Sequence, residues 1–122
     1  MPIVDVQVVS PASAPQRASL TRELADALGA ALAAPAGRVW VRLAWLPADH
    51  YAENGSDLAE GEAPVFVTML HADPPEGEAR VAEATAIASA VGACVGRGVE
   101  WVHVEYAPAG RGRIAFGGKL LA

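Results

Sequence analysis

The sequence repeats itself in two halves, and this repeat limits the folds that the chain can adopt. Pro2-Ile3-Val4-Asp5-Val6 opens the first half, and Pro64-Val65-Phe66-Val67-Thr68 opens the second. Val39-Trp40-Val41-Arg42-Leu43 is matched later by Glu100-Trp101-Val102-His103-Val104. Each half therefore reads as strand, helix, strand, in a unit of about 60 residues.

Apolar spacing predicts one helix in each half. We expect the first to begin around Ser13, with Pro15 in its first turn, and to end at residues 34–37. Its buried face is Leu20, Leu24, Leu28 and Leu32. We expect the second to begin near Pro75-Glu76 and to end at Gly96 or Gly98. Its buried face is Val81, Ala84, Ile87, Ala88, Val91 and Val95.

A strand-helix-strand unit with helices of this length implies parallel strands joined by a right-handed crossover. Two such units predict an α/β (α+β) fold, a four-stranded mixed sheet with both helices on one face. We expect a single domain over residues 1–122, with repeats at about 2–55 and 64–118 and a polar joint at residues 53–62. Strands as apolar as 39–46 and 64–70 are predicted to be buried on both sides, so oligomerisation should cover the other face of the sheet.

Composition excludes several classes of function. The 122 residues are 52% hydrophobic and carry a net charge of -5 without a basic cluster, which argues against nucleic-acid binding. Charges, Pro and Gly interrupt every long apolar stretch, and the N-terminus lacks the basic region of a signal peptide, so we expect no membrane span and a cytoplasmic location. Cys94, the single cysteine, is predicted to be a buried thiol without a catalytic role.

Pro2 is the residue most suggestive of chemistry. Methionine before a small residue is normally trimmed, and removal of Met1 would leave Pro2 as a free secondary amine. Burial or nearby cations favour the neutral form of such an amine, which then acts as a general base near neutral pH. The alternative is that Pro2 is only a stiff entry to an edge strand. Pro64 holds the corresponding place in the second half, but its nitrogen is an amide without a basic lone pair.

These features resemble the tautomerase superfamily, which includes 4-oxalocrotonate tautomerase, macrophage migration inhibitory factor and the cis-3-chloroacrylic acid dehalogenases. The resemblance covers nearly the whole chain. It is carried by the Met-Pro start, the strand 39–41 after the first helix, the turn at residues 47–55 and the tandem unit. In long-chain members two units form one subunit and three subunits enclose a barrel of sheets. The resemblance therefore implies a homotrimer with Pro2 at the mouth of each active site.

Two histidines are candidates for holding an acidic substrate. If the strands that follow Pro2 and Pro64 run antiparallel, His71 lies towards Pro2, whereas the alternative is a solvated histidine at a strand end. His103 lies on the last long strand, where related dehalogenases place a polar residue that helps to activate water. The alternative for His103 is a histidine satisfied within the sheet or at a subunit interface.

Arginines are the other candidates, because guanidinium groups bind carboxylates and stabilise a developing enolate. Arg111 and Arg113 lie on a Gly-rich C-terminal segment, and related long-chain members have a similar Gly-Arg-rich segment there. The alternative is that both are solvated or paired with acids. Arg42 and Arg17 are weaker candidates, since strand alternation equally well places Arg42 on a solvated or interface face.

The chain also departs from the family. Trp40 stands where 4-oxalocrotonate tautomerase has an arginine, which argues against a grip on a diacid. Residues 72–75 lack the arginines that follow the matching strand in the dehalogenases, and a histidine expected late in their first helix is replaced by the Leu28-Gly29 region, which argues against dehalogenation.

The leading hypothesis is a tautomerase of a small 2-oxo or 2-hydroxyalkenoic acid with Pro2 as general base. We expect no cofactor, because the histidines and the cysteine lack metal-ligand spacing and no phosphate loop follows a strand. One alternative is a non-catalytic trimeric module that binds small molecules or proteins, which retention of Met1 would favour. Another is an unrelated ferredoxin-like dimer with a similar order of elements.

Overall fold

A computed structural model describes residues 2–10, 18–58 and 63–122. Its main elements are, in chain order, β1 (Ile3–Ser10), α1 (Leu20–Ala31), β2 (Trp40–Pro47), β3 (Val65–Leu70), α2 (Gly77–Val95) and β4 (Val102–Tyr106). Short 3-10 turns at Ala48–His50 and Val99–Trp101 precede or follow strands, and the small hairpin of β5 (Ala115–Phe116) and β6 (Lys119–Leu120) closes the described chain.

The four long strands form one mixed sheet in the order β2-β1-β3-β4. β1 pairs in parallel with β2, and β3 pairs in parallel with β4, while β1 and β3 run antiparallel at the centre. The sheet thus consists of two strand-helix-strand halves joined at their first strands. The predicted four-stranded mixed sheet with two helices is confirmed.

The core lies between the sheet and the two helices, as the alternation along the strands requires. Val4, Val6 and Val8 of β1 are buried, and β3 buries every second residue in the same way. The helices contribute leucines and small apolar residues to the same cluster, namely Leu20, Leu24, Leu28, Ile87, Ala88 and Val91. The opposite face of the sheet is covered by neither helix in the single chain.

The ends of α1 differ from the prediction. The expected start near Ser13 and Pro15 lies outside the described residues, and α1 as described begins at Leu20. The helix ends at Ala31, before the predicted stop, because Ala33 takes a left-handed conformation with φ 50. The backbone N–H of Ala34 then donates to the carbonyl of Gly29, which caps the helix end.

The second half follows the prediction more closely. α2 begins at Gly77 and is ended by Gly96 at φ 71, a left-handed conformation that favours glycine. Two details were wrong. Val81 does not face the core and is 67% exposed, because α2 contacts the rest of the protein mainly through its C-terminal half, around Ile87 and Val91. Trp101, which the repeat matches to the first residue of β2, belongs to the 3-10 turn instead of a strand. β4 therefore begins at Val102.

The prediction that β2 is buried on both sides is not met within one chain. β2 is an edge strand with β1 as its one partner in the sheet, and its residues alternate between half-buried and exposed, with Trp40 42% exposed. Alternation of this kind is expected for a strand that packs on one side against the core. Any further cover of β2 must come from outside the described chain.

Candidate active site

Pro2 lies at the start of β1, where two neighbouring strands converge on it. Its side chain is buried, and its carbonyl accepts a hydrogen bond of 3.1 Å from the backbone N–H of Trp40 at the start of β2. On the other side, the antiparallel register pairs Ile3 with Leu70, so the next residue, His71, follows directly beside Pro2. The two central strands therefore bring Pro2 and His71 to the same end of the sheet.

A pocket of about 480 Å³ opens at this end of the sheet. This volume lies within the usual range for sites that bind small molecules. The pocket is lined by Pro2, Leu32, Ala34, Pro35, Arg38, His71 and Glu83. One wall is thus the loop after α1, and the other is the end of β3 with one side chain of α2.

His71 is held in place by an acid of α2. Its Nε2 lies 2.6 Å from Oε1 of Glu83, and the side chains of the pair are only 14% and 16% exposed. The His71 ring also stacks on Tyr106, with ring centroids 6.2 Å apart. The structure therefore places His71 in a part-buried hydrogen-bonded cluster, not as a solvated residue at a strand end.

Tyr106 completes this cluster from β4. Its hydroxyl donates to the same Glu83 oxygen at 3.2 Å. Burial, together with the negative charge of Glu83, raises the pKa of Tyr106 to about 12, so the phenol stays protonated and remains a donor at neutral pH. The guanidinium of Arg80 lies 5.3 Å from the centre of the Tyr106 ring. Glu83 is thus fixed by two donors and can hold the His71 ring in one orientation.

Arg38 is the site residue that sequence reasoning missed. It lies in the loop just before β2 and lines the pocket with Pro2. Among the described residues, none makes a hydrogen bond or ion pair with its guanidinium, although its backbone N–H donates to Pro35. The feature that could have identified Arg38 is the parallel register of β1 and β2. This register pairs Ile3 with Trp40 and so brings the residues before Trp40 alongside Pro2.

Arg111 lines a second compartment that adjoins the first. This compartment measures about 380 Å³ and is lined by Arg38, His71, Ala72, Asp73, Arg111, Phe116 and Leu121. Arg38 and His71 line both compartments, so the two lie side by side, and together they are called the cleft. The C-terminal segment is held there by the backbone N–H groups of Gly110 and Arg111, which donate to the carbonyls of His71 and Ala72.

The Arg111 guanidinium is already paired. Its Nε and Nη2 donate to the two carboxylate oxygens of Asp73 at 2.8 and 2.5 Å, and its Nη1 donates to the main-chain oxygen of Ala122 at 2.7 Å. The hydrogen bonds from Arg111 lower the pKa of Asp73, and those to Asp73 raise the pKa of Arg111. Both groups are therefore charged at neutral pH.

The other sequence candidates lie away from Pro2 in the single chain. Arg113 is exposed and lines neither compartment. Arg42 lies on the sheet face opposite the helices, where it pairs with Asp5 at 2.5 and 2.8 Å, and this pairing raises the pKa of Arg42. His103 lies on the same face, with its ring 5.6 Å from that of Phe66. Arg17 lies outside the described residues.

A concavity of about 580 Å³ lies on that open face and is larger than the Pro2 pocket. Asp5, Arg42, Phe66 and Glu105 are among its lining residues. Asp5 neutralises Arg42 on this face, and Pro2 does not line the concavity. The concavity therefore lacks the amine base that the Pro2 pocket offers. The pocket at Pro2 therefore remains the better candidate for catalysis, although it is smaller.

The described ranges contain neither a cluster of metal ligands nor a membrane-spanning helix. No three His, Cys, Asp or Glu side chains in residues 2–10, 18–58 and 63–122 are grouped so that they could hold a metal ion. In the same ranges, no helix combines the length and the apolar character needed to cross a membrane.

Comparison with known proteins gives a result at the level of structure. No protein-family model matches the sequence, and no curated protein matches it. Among solved structures, the chain is similar to Pt0534 inactivated by 2-oxo-3-pentynoate, with 21% identity over 98% of this chain and 96% of that chain and a TM-score of 0.76.

Two further solved structures extend the likeness. A fused 4-OT described as a wild-type symmetric trimer shares 21% identity over 98% of this chain and 95% of that one, with a TM-score of 0.74. FG41 malonate semialdehyde decarboxylase inhibited by 3-bromopropiolate shares 16% identity over 94% of this chain and 88% of that one, with a TM-score of 0.69. Together with the sheet order and the paired strand-helix-strand halves, these likenesses show that the chain has the fold of the tautomerase superfamily.

Proposed function

We propose that the protein is a cofactor-independent keto-enol tautomerase of small 2-oxo or 2-hydroxyalkenoic acids, with Pro2 as the general base after removal of Met1. The observation that carries this proposal is the pocket in which Pro2 meets Arg38 and His71. Enolisation of a 2-oxo acid uses a base, a cation for the carboxylate and a hydrogen-bond donor for the developing enolate, and Pro2, Arg38 and His71 can supply these groups.

The reaction assigns a separate task to each group. The Arg38 guanidinium binds the substrate carboxylate. The neutral Pro2 amine accepts the proton of the 2-hydroxyl group and returns it to C3, which converts the enol into the ketone without net loss of atoms or charge. In its imidazolium form, His71 donates Nε2–H to Glu83 and Nδ1–H to the substrate oxygen as charge develops there. The buried position of Pro2 beside a cation favours the neutral amine that this mechanism needs.

The proposed assembly is a homotrimer. The sheet face opposite the helices carries half-buried apolar side chains and the free edge of β2, and both are features that an interface covers. The fused 4-OT of the same fold is described as a trimer. Light scattering or native mass spectrometry should give three times the chain mass of 12.5 kDa, and a dimer would contradict the trimer. We also propose that the chain forms one domain and is located in the cytoplasm.

The decisive experiment measures ketonisation of phenylenolpyruvate by protein whose intact mass confirms loss of Met1. Pro2→Ala should lower the rate at least about tenfold, which corresponds to ~1.4 kcal/mol of transition-state stabilisation. Alanine keeps a terminal amine but a primary one, so the comparison tests the secondary amine and its placement. Activity that is indifferent to Pro2 would remove the general base from the mechanism.

The second candidate is a non-catalytic module that binds small molecules or proteins on the same scaffold. The pairing of Arg111 with Asp73 favours it, because this pair removes one cation from the cleft. Trp40 in place of a strand arginine points the same way. One result would distinguish the two candidates. If trimmed protein binds a small carboxylate but does not ketonise phenylenolpyruvate, the non-catalytic module is supported.

A further inference from the structure

The pair of Asp73 and Arg111 has an unusual place for a surface ion pair, because it lies in the wall of the candidate cleft. Asp73 follows the end of β3 by a few residues, and Arg111 reaches it from the C-terminal segment. All three guanidinium nitrogens of Arg111 donate to groups of the protein itself. Three of the five N–H groups of Arg111 are thus engaged within the protein, and its positive charge is neutralised by Asp73.

Arg38 is different in this respect. It lines both compartments of the cleft, and its guanidinium has no partner among the described residues. The cleft thus offers one unengaged arginine near Pro2. Its far compartment combines the neutralised ion pair with the apolar side chains of Phe116 and Leu121.

We propose that Asp73 determines substrate specificity by engaging Arg111, so that the cleft accepts a monocarboxylate with an apolar tail and rejects a dicarboxylate. This inference rests on the proposed function for the assignment of the site, and deepens it by naming the substrate class. The carboxylate is bound by Arg38 beside Pro2, and the uncharged tail lies against Phe116 and Leu121. A second carboxylate in the far compartment meets the negative charge of Asp73 and an arginine whose charge Asp73 already neutralises.

The pair is well suited to replacement. The side chains of Arg111 and Asp73 are 47% and 65% exposed, and exposed ion pairs contribute little to folding stability. Asp73→Asn removes the repulsive charge and frees Arg111 to bind an incoming carboxylate. The same substitution is therefore expected to create affinity for a second carboxylate without loss of the fold.

The experiment compares two unreactive acids by isothermal titration calorimetry. Sorbate and trans,trans-muconate share one six-carbon diene skeleton, but sorbate ends in a methyl group where muconate ends in a second carboxylate. The wild-type protein should bind sorbate about tenfold more tightly than muconate, and Asp73→Asn should tighten muconate about tenfold while sorbate changes less than about twofold. Because neither acid reacts, this result does not depend on whether Pro2 catalyses ketonisation.

Two further variants make the test specific. Asp26→Asn removes another carboxylate from an arginine pair, that of Arg22 on α1, and should leave the ratio of sorbate to muconate affinity unchanged. Arg111→Gln, added to Asp73→Asn, should abolish the gain in muconate affinity, since the gain depends on the freed guanidinium. The proposal is overturned if wild-type protein shows no preference for sorbate, or if Asp73→Asn leaves the ratio as it was.

Discussion

Arg38 shows how much of the proposed chemistry depends on one side chain. It is the arginine that lines the pocket with Pro2, whereas Arg111 is engaged by Asp73 and Arg42 by Asp5. A charge-assisted hydrogen bond to a carboxylate is one of the stronger polar interactions in a binding site. Substrate affinity should therefore depend on Arg38 more than on the arginines predicted from the sequence.

Arg38→Gln should lower kcat/KM for phenylenolpyruvate about tenfold or more, mainly through KM, because the carboxylate is bound in both ground and transition states. Steady-state kinetics on trimmed protein measure this effect. Arg22→Gln, on the exposed side of α1, is the matched control and should have no effect. A comparable loss in Arg113→Gln, with Arg38→Gln unaffected, would show that the carboxylate lies elsewhere.

Tyr106 gives a prediction of pH dependence. Its pKa is raised to about 12 in the folded protein, against about 10 in an unfolded chain. Below about pH 10 the phenol is neutral in both states and its contribution to stability is fully present. Between about pH 10 and about pH 12 the unfolded state loses the proton first, so the free energy of unfolding should fall as pH rises.

Tyr106→Phe is the test of this dependence. Urea unfolding followed at several pH values should show a shallower alkaline loss of stability in Tyr106→Phe than in the wild type, because the titrating phenol is absent. An equal slope in both proteins would assign the alkaline loss to other groups. Glu83→Gln should show a smaller effect in the same direction, since burial comes before the Glu83 charge among the causes of the raised pKa.

At the scale of elements, α2 has one close backbone contact, between Gly92 and Arg97, that leaves no room for a side chain. Gly92 lies on its buried face, and a Cβ atom there would come within 2.7 Å of the backbone carbonyl oxygen of Arg97. A backbone oxygen cannot move aside as the end of a side chain can. This contact explains why a residue of poor helix propensity occupies the interior of the helix.

Gly92→Ala should lower the free energy of unfolding by about 1–3 kcal/mol, the usual cost of overpacking. Gly29→Ala, in α1, meets nothing within 4 Å and should have the opposite sign, with a gain of about 0.5–1 kcal/mol from helix propensity. Chemical denaturation of both variants measures the difference. The same sign in both would mean that the close approach to Arg97 does not limit this position.

The repeat and the apolar spacing predicted the sheet and both helices, because an element that is buried on one face has apolar residues at regular intervals in its sequence. Val81 and Trp101 broke the pattern for tertiary reasons, since the start of α2 projects beyond the core and the chain turns before β4. The site was less predictable. His71 beside Pro2 followed from strand direction, but Arg38 required the register of β1 and β2, and Asp73 lies far in sequence from Arg111.

At the scale of the whole molecule, Arg97 joins parts of the chain that are distant in sequence. Its guanidinium donates to the carbonyls of Ala63, Val95 and Val9 at 3.1, 3.2 and 3.0 Å. It thereby ties the end of α2 to the end of β1 and to the residue before Pro64. Three part-buried acceptors depend on this one side chain.

Arg97→Met should lower the free energy of unfolding by about 2–4 kcal/mol, because the aliphatic stem is kept while the carbonyls lose their donors. Thermal unfolding of the variant measures the loss. Arg22→Met, which removes only an exposed pair, is the comparison and should change stability by less than about 0.5 kcal/mol. A small effect at Arg97 would mean that water replaces its donors.

The antiparallel centre of the sheet gives the two halves an approximate twofold relation, in which Pro64 corresponds to Pro2 and Val9 to His71. At the Pro64 end, however, Arg97 binds the carbonyl of Ala63, the acyl half of the amide that deprives Pro64 of basicity, and also the carbonyl of Val9. The Pro2 end thus carries the proposed base, while the equivalent end of the other half is a structural clamp. The proposed catalytic end and the clamp lie on different halves, so a substitution at Pro2 can alter the proposed chemistry without loosening the junction that holds the halves together.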